Sequence, residues 1–174
     1  ESRYKVDLIY SEHSLLPSFV ELENQIRKNL KSYKHHSALV FLPGKSELYR
    51  VRDFLANWRC PVFCMHGGVS PEEQRAILEH PGPKVILSTN LLESAVTVDG
   101  VDLVIDSGLH RILQFRDGRE VLSTEFISMA SATQRMGRTG RNGPGRCIRL
   151  WSSKAVLKSH SQPEILRSKL TDLG

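Results

Sequence analysis

The 174-residue chain has only three cysteines, Cys60, Cys64 and Cys147, an odd number without a disulfide pattern. Cys60 and Cys64 lie about 13 Å apart along a predicted strand, which suits neither a disulfide nor a zinc site. Structural disulfides are rare in reducing compartments. The cysteine content therefore predicts an intracellular protein, cytoplasmic or nuclear, with its thiols in the core.

The sequence also has no apolar run near the roughly 18 residues of a membrane-spanning helix, so no membrane partner is predicted. Its scattered histidines lack metal-binding spacing, so no metal site is predicted. Gly44-Lys45-Ser46 resembles the end of a phosphate-binding loop, but Leu39 stands where that motif needs glycine. No Asp-Glu-x-His stretch is present to hold magnesium. The chain alone is therefore predicted not to hydrolyse a nucleotide.

What is present suffices for one domain with a full core, since 40% of the residues are hydrophobic. The net charge of +5 permits a polyanionic partner without requiring one. Apolar runs without polar alternation, interleaved with helical patterns, predict an α/β fold with a mainly parallel sheet and helices on both faces. The predicted strands span 6–10, 37–42, 61–65, 84–88, 101–105 and 146–151. Ligands bind beyond the carboxyl ends of such strands, so we expect the site in the loops after Leu42, Met65, Ser88 and Ile105.

The segment 134–141 reads Gln-Arg-Met-Gly-Arg-Thr-Gly-Arg and places arginines three residues apart. Residues at this spacing on a helix share a face, so the three guanidinium groups are expected to point one way. Guanidinium binds phosphate oxygens with two hydrogen bonds and keeps its charge. The pattern therefore favours a phosphate-chain site, and a solvated basic turn is the alternative on charge alone.

A second polar segment follows the strand at 84–88. Short hydroxyl and amide side chains such as Thr89 and Asn90 can bind a sugar-phosphate backbone without reading bases. The alternative is a strand-to-helix cap, in which Thr89 or Asn90 satisfies backbone donors. Further along, Asp117-Gly118 favours a tight turn between strand arms at 112–115 and 120–123.

These segments occur in a fixed order: Phe-Leu-Pro-Gly-x-x-Glu at 41–47, Ser-Thr-Asn-x-x-Glu-Ser…Thr-Val-Asp-Gly-Val at 88–101, Val-Ile-Asp-Ser-Gly at 104–108 and the arginine segment. The combination resembles the second RecA-like domain of superfamily 2 helicases, most closely the DEAH-box RNA helicases. The resemblance covers about 6–151. It implies a three-layer RecA-like domain over 1–151 with a protruding hairpin. A polar tail at 152–174 would lead toward further domains, and the chain has the look of an excised domain.

The resemblance implies an ATP-dependent RNA helicase in which this domain is the second motor lobe. ATP with Mg²⁺ would be bound mainly by the N-terminal RecA-like domain that precedes it. Gln134, Arg138 and Arg141 would contact the γ-phosphate, the two arginines as arginine fingers. Thr97 and Asp99 would line the nucleotide, with Asp99 near the ribose.

The family's RNA-binding positions correspond to Thr89 and Asn90, with the Pro43-Gly44 loop on the same single strand. The hairpin resembles the family's strand-separating hairpin. Arg135 is expected to be structural, holding the motif to the sheet.

Departures from the family pattern point to a divergent branch, such as the tudor-domain germline helicases or bacterial or viral relatives. Leu78 stands where a phenylalanine commonly stacks on adenine, and Ala95 replaces a hydroxyl residue. Met136 and Thr139 occupy the variable positions of the arginine motif. Two further alternatives stay open: a non-catalytic RNA-binding or protein-docking module that retains the fold, and DNA rather than RNA as the track.

Overall fold

The computed structural model describes residues 4–11, 18–94 and 98–155. Their core is a six-stranded parallel sheet with the order β1-β8-β5-β2-β4-β3. Its strands are β1 (Val6–Tyr10), β2 (Ser37–Phe41), β3 (Val62–Met65), β4 (Val85–Ser88), β5 (Val101–Asp106) and β8 (Gly145–Arg149). The interior strands β2 and β4 are buried along their whole length, as expected when both faces are covered.

Helices cover the sheet on both sides. On one face, α1 (Phe19–Ser32) and α2 (Lys45–Phe54) pack apolar side chains such as Ile26 and Val51 against it. On the other face lie α3 (Pro71–Glu79) and α4 (Met129–Met136), which contribute Ile77 and Met136. The predicted α/β fold with a parallel sheet and two helical layers is confirmed.

A separate antiparallel hairpin consists of β6 (Leu109–Arg116) and β7 (Arg119–Phe126). Asp117 and Gly118 form its turn with φ angles of 51° and 73°, the positive values that a tight hairpin turn needs. The predicted hairpin is confirmed, with arms longer than the sequence indicated.

Within the described residues, no helix is both long and apolar enough to cross a membrane. The predicted tail falls almost wholly in 156–174, outside the described residues, so the division at residue 151 stays a prediction.

Candidate functional site

Helix α4 directs the first arginine of the motif into the core. The Arg135 side chain is fully buried, with Nη1 2.8 Å from Asp106 Oδ1 and Nε 2.9 Å from Glu93 Oε1. Its predicted structural role is confirmed. The prediction that all three arginines share one face is wrong, because Arg135 points at the sheet and the helix ends at Met136, before Arg138.

The other two arginines lie in residues 137–144, between α4 and β8, which we call the arginine loop. Both are half-buried. Arg138 Nε donates a hydrogen bond of 3.3 Å to the Gln134 carbonyl, and Arg141 Nε donates one of 3.2 Å to the Gly137 carbonyl. Burial lowers the pKa of Arg138, and the charge of Arg141 lowers it further. The loop thus holds two cations near each other in a partly desolvated place, an arrangement that a bound polyanion stabilises.

Thr139 fixes the arginine loop to the sheet. Its buried hydroxyl donates a hydrogen bond of 2.7 Å to the carbonyl of Val101, where β5 begins. Nearby, the Gly100 amide donates to Asn142 Oδ1 at 3.3 Å. A side chain at Gly145 would overlap the Thr139 hydroxyl. Thr139 was predicted only as a variable position of the arginine motif, because its partner lies far away along the chain.

A cavity of about 740 Å³ lies at the amino ends of β2, β4 and β5, the same edge as the arginine loop. Leu78 and Asp99 both line it, so two of the three residues predicted to contact ATP besides the γ-phosphate group lie around one space. The third, Thr97, lies outside the described residues. His36 and Lys84 also line the cavity. Neither residue was among the predicted nucleotide contacts.

Lys84 holds the end of α3 that carries Leu78. Its Nζ donates hydrogen bonds of 2.9, 2.9 and 3.0 Å to the carbonyls of Ile77, Leu78 and His80. An ammonium group has three donors, and a helix end leaves carbonyls without partners. Burial lowers the pKa of Lys84, and Asp99 opposes this shift. Lys84 therefore fixes Leu78 in the cavity wall.

The residues predicted to bind RNA lie at the opposite edge of the sheet, beyond the carboxyl ends of β2 and β4. These strands pair directly, so their loops are neighbours. Thr89 is half-buried and Asn90 exposed, whereas Pro43 and Gly44 are buried. Thr89 Oγ1 also accepts a hydrogen bond of 3.4 Å from the Leu91 amide. Thr89 therefore caps the short helical turn that follows β4, which was the alternative prediction for this residue, and it also lies at this edge of the sheet.

The candidate site thus has two parts at two edges of the sheet. The carboxyl ends of the strands hold the Thr89 and Gly44 loops, as the sequence predicted. The arginine loop and the cavity lie at the amino ends, which the sequence did not predict. The arginine loop lies at the amino ends because α4 returns the chain from the hairpin to the start of β8, and so carries Arg138 and Arg141 to that edge.

An ion pair joins the Gly44 loop to the hairpin. Arg111 Nη2, on β6, lies 3.0 Å from Glu47 Oε2 in the first turn of α2, and also donates to Thr124 Oγ1 at 3.2 Å. Burial raises the pKa of Glu47, but the hydrogen bond from Arg111, the Glu47 backbone amide, the Arg111 charge and the Ser46 hydroxyl together lower it overall. A side chain at Gly44 would meet the Arg111 guanidinium. The glycine thus allows the hairpin to approach the loop.

Among the described residues, the free cysteines and the side chains able to bind a metal form no further site. In the part of the chain that the structure describes, no group of three or more His, Cys, Asp or Glu side chains is placed to hold a metal ion. All three cysteines are free thiols. Burial raises the pKa of Cys64 to about 11 and that of Cys147 to about 12. Their predicted core position is confirmed, whereas Cys60 is only half-buried.

Comparison with known proteins gives a consistent result. Residues 21–143 match the family described as "Helicase conserved C-terminal domain". The chain is 40% identical over 156 residues to "RNA editing associated helicase 2" of Trypanosoma brucei brucei, covering 79% of this chain and 7% of that protein. It is 39% identical over 150 residues to "ATP-dependent RNA helicase HrpB" of Escherichia coli, covering 79% of this chain and 18% of that protein.

The fold agrees with these relatives. The crystal structure of the Escherichia coli DExH-box NTPase HrpB superposes with a TM-score of 0.81 at 30% identity, covering 99% of this chain and 23% of that one. A second crystal structure of the same helicase gives a TM-score of 0.80 at 31% identity. This likeness confirms the RecA-like fold, and the chain spans less than a fifth of the two curated relatives described above.

Proposed function

The chain belongs to the helicase conserved C-terminal domain family, with DExH-box RNA helicases among its relatives, and from this we propose that it is the second motor lobe of an ATP-dependent RNA helicase. A first RecA-like lobe would hold ATP with Mg²⁺, and closure of the two lobes would complete the site. This chain would supply cationic groups to the phosphates and grip the RNA backbone.

The observation that carries the proposal is the pair Arg138 and Arg141. Both are half-buried, and the charge of Arg141 lowers the pKa of Arg138. Holding two cations together costs free energy that a nucleotide phosphate chain would offset. Phosphoryl transfer places developing charge on the γ-phosphate oxygens, and an arginine finger stabilises that charge. Gln134 would be the third group at the γ-phosphate.

The neighbouring cavity supports a position for the rest of the nucleotide. The Asp99 carboxylate at its wall can accept a hydrogen bond from a ribose hydroxyl, and the Leu78 side chain offers an apolar surface for the base. Leucine packs against a ring without aromatic stacking, so we expect weak selectivity for the base. Thr97 would complete the nucleotide contacts.

RNA would lie along the other edge of the sheet. Thr89 and Asn90 present hydroxyl and amide groups there, and the Pro43-Gly44 loop adjoins them. Contacts of this kind hold a backbone without reading sequence. Because the two sites occupy different edges, one lobe would grip RNA and meet ATP at the same time. Cycles of closure and opening would then move the lobe along the strand.

The test is RNA-stimulated ATP hydrolysis by the full-length protein with Arg138→Ala or Arg141→Ala. Loss of an arginine finger should lower kcat by roughly a thousandfold or more. Arg52→Ala is the matched control. Arg52 is an exposed arginine of α2, on the opposite face of the sheet from α4, so this variant should retain the wild-type rate. Wild-type hydrolysis in both motif variants would contradict the proposal. A parent protein that binds RNA but never hydrolyses ATP would favour the non-catalytic module instead.

A further inference from the structure

A second groove lies on the face of the sheet that α1 and α2 cover, opposite the face that carries α3 and α4. It has a volume of about 550 Å³ and runs between the last turns of α1 and residues 53–59, which follow α2. It lies at the amino edge, because α1 ends just before β2 begins and residues 53–59 lead into β3. It therefore shares neither the face of the nucleotide cavity nor the edge of the predicted RNA loops.

The groove is cationic and partly apolar. Arg27 and Lys31 line one side and Arg59 the other, and all three are exposed. Asp53 is the one acidic side chain among the lining residues of the described chain, and it lies 3.9 Å from Arg52 Nη2.

Stabilisation of a helix end accounts for only one of these three cations. Lys31 lies in the last turn of α1, where a cation stabilises the helix dipole. Arg27 lies a turn earlier, and Arg59 belongs to no helix.

Two aromatic rings set the orientation of the arginines. The guanidinium carbon of Arg27 lies 4.9 Å from the centroid of the Phe54 ring, and that of Arg59 lies 5.0 Å from the Trp58 ring. A guanidinium stacked on a ring keeps in-plane N–H donors available for an acceptor, although Arg59 Nη2 already lies 3.3 Å from His35 Nε2. The groove therefore offers cationic donors on a platform that is already ordered.

The same stacking favours a peptide over single-stranded nucleic acid as the ligand of the groove. Single-stranded nucleic acid binds such surfaces by stacking bases on open aromatic faces, but arginines lie over the rings of Phe54 and Trp58 here. Phe54 is still 37% exposed, and Leu55 and Ala56 extend the apolar lining. An apolar anchor between charged contacts is the arrangement that suits a peptide.

We propose that this groove, lined by Arg27, Lys31, Phe54 and Arg59, is a docking site for an acidic polypeptide segment that carries an apolar anchor residue. Its carboxylates pair with the cations, and its anchor packs on Phe54. The site does not depend on the proposed motor role. A partner seated there leaves both the arginine loop and the Thr89 edge open, so it can bind while the lobe is engaged elsewhere.

Fluorescence anisotropy with the full chain tests the proposal. The probe is a fluorescein-labelled peptide in which glutamates flank a pair of leucines, and the matched probe has glutamine at every glutamate. The acidic probe should bind and the glutamine probe should not. Arg27→Glu/Arg59→Glu should weaken binding of the acidic probe by at least roughly tenfold, the loss of charge-assisted hydrogen bonds.

Two controls keep the test falsifiable. Lys28→Glu/Lys34→Glu makes the same change in net charge at exposed residues outside the groove, and it should change Kd by less than about twofold, since screened surface charges contribute little. Lys31→Glu alters the groove without removing a ring contact, and it should also weaken binding of the acidic probe. It replaces Arg27→Glu/Arg59→Glu as the test variant if that double variant does not fold. Equal losses in groove and control variants would overturn the proposal. So would failure of the acidic probe to bind, or preference of the groove for labelled oligouridylate.

Discussion

Arg135 Nη1 lies 2.8 Å from Asp106 Oδ1, and neither side chain is exposed to solvent. The second contact, from Arg135 Nε to Glu93, ties the same guanidinium to the segment after β4. One arginine of the motif is thus used to fix α4 on the sheet. That anchor determines where the chain leaves the helix, and so where Arg138 and Arg141 lie.

Removing this anchor should destabilise the domain rather than alter its chemistry selectively. Arg135→Leu leaves Asp106 as an uncompensated buried charge, so the free energy of unfolding should fall by about 3–5 kcal/mol. Urea denaturation measures the change. Arg52→Leu, at an exposed position, should stay within about 0.5 kcal/mol of wild type. A loss below about 1 kcal/mol in Arg135→Leu would contradict the assigned role.

Thr139 should contribute through its hydroxyl alone. Thr139→Val keeps the shape but leaves the Val101 carbonyl without its 2.7 Å partner, so stability should fall by roughly 1–3 kcal/mol. Thr133→Val makes the same replacement at an exposed position of α4 and should have a much smaller effect. The midpoints of thermal or urea unfolding of the two variants, each compared with wild type, measure the difference. Equal effects would mean that the buried hydrogen bond is not the cause.

Glu47 should make stability depend on acid pH. Its folded-state pKa is lowered from the ordinary value of 4.5, so the native state binds fewer protons than the unfolded chain. The stabilisation is therefore fully present above the unfolded pKa and is lost as the pH falls through the folded one. Glu47→Gln should flatten this part of the stability profile, measured by urea unfolding at several pH values. Glu120→Gln, at an exposed hairpin position, should leave the profile unchanged.

Leu78 gives a test of the nucleotide cavity. Leu78→Phe introduces an aromatic ring at the cavity wall, and stacking on a base is worth about 0.5–1.5 kcal/mol, so the affinity of the two-lobe protein for ATP should rise severalfold. Leu78→Met changes the shape without adding a ring and should bind as wild type does. Binding of a fluorescent ATP analogue measures both. Unchanged affinity in Leu78→Phe would place the base elsewhere.

The fold was predictable because its signals are local. Ser70 caps α3 by accepting the Glu73 amide at 3.2 Å, and Pro71 occupies the first helical position; both are local signals for the start of a helix. Continuous apolar runs likewise identified the parallel strands. The strand order was not predictable, since β1 pairs with β8 from the other end of the chain.

The site was less predictable because its key contacts are distant in sequence. Arg111 meets Glu47 across 64 positions, and Arg135 meets Glu93 across 42. A spacing of three residues suggested one face for the arginine motif, but the end of α4 at Met136 separates Arg138 from Arg135. Local pattern therefore identified the residue types, and tertiary packing decided which of them point outward.

The most direct test of the central claim compares binding of ADP with binding of ADP–aluminium fluoride, a mimic of the transferring phosphoryl group, to the full-length protein with Mg²⁺ and RNA. An arginine finger acts on charge that develops in the transition state, so it strengthens binding of the mimic more than binding of ADP. We predict that Arg138→Ala and Arg141→Ala lose the extra affinity for the mimic while their affinity for ADP stays nearly unchanged. A wild-type ratio of the two affinities in both variants would contradict the account.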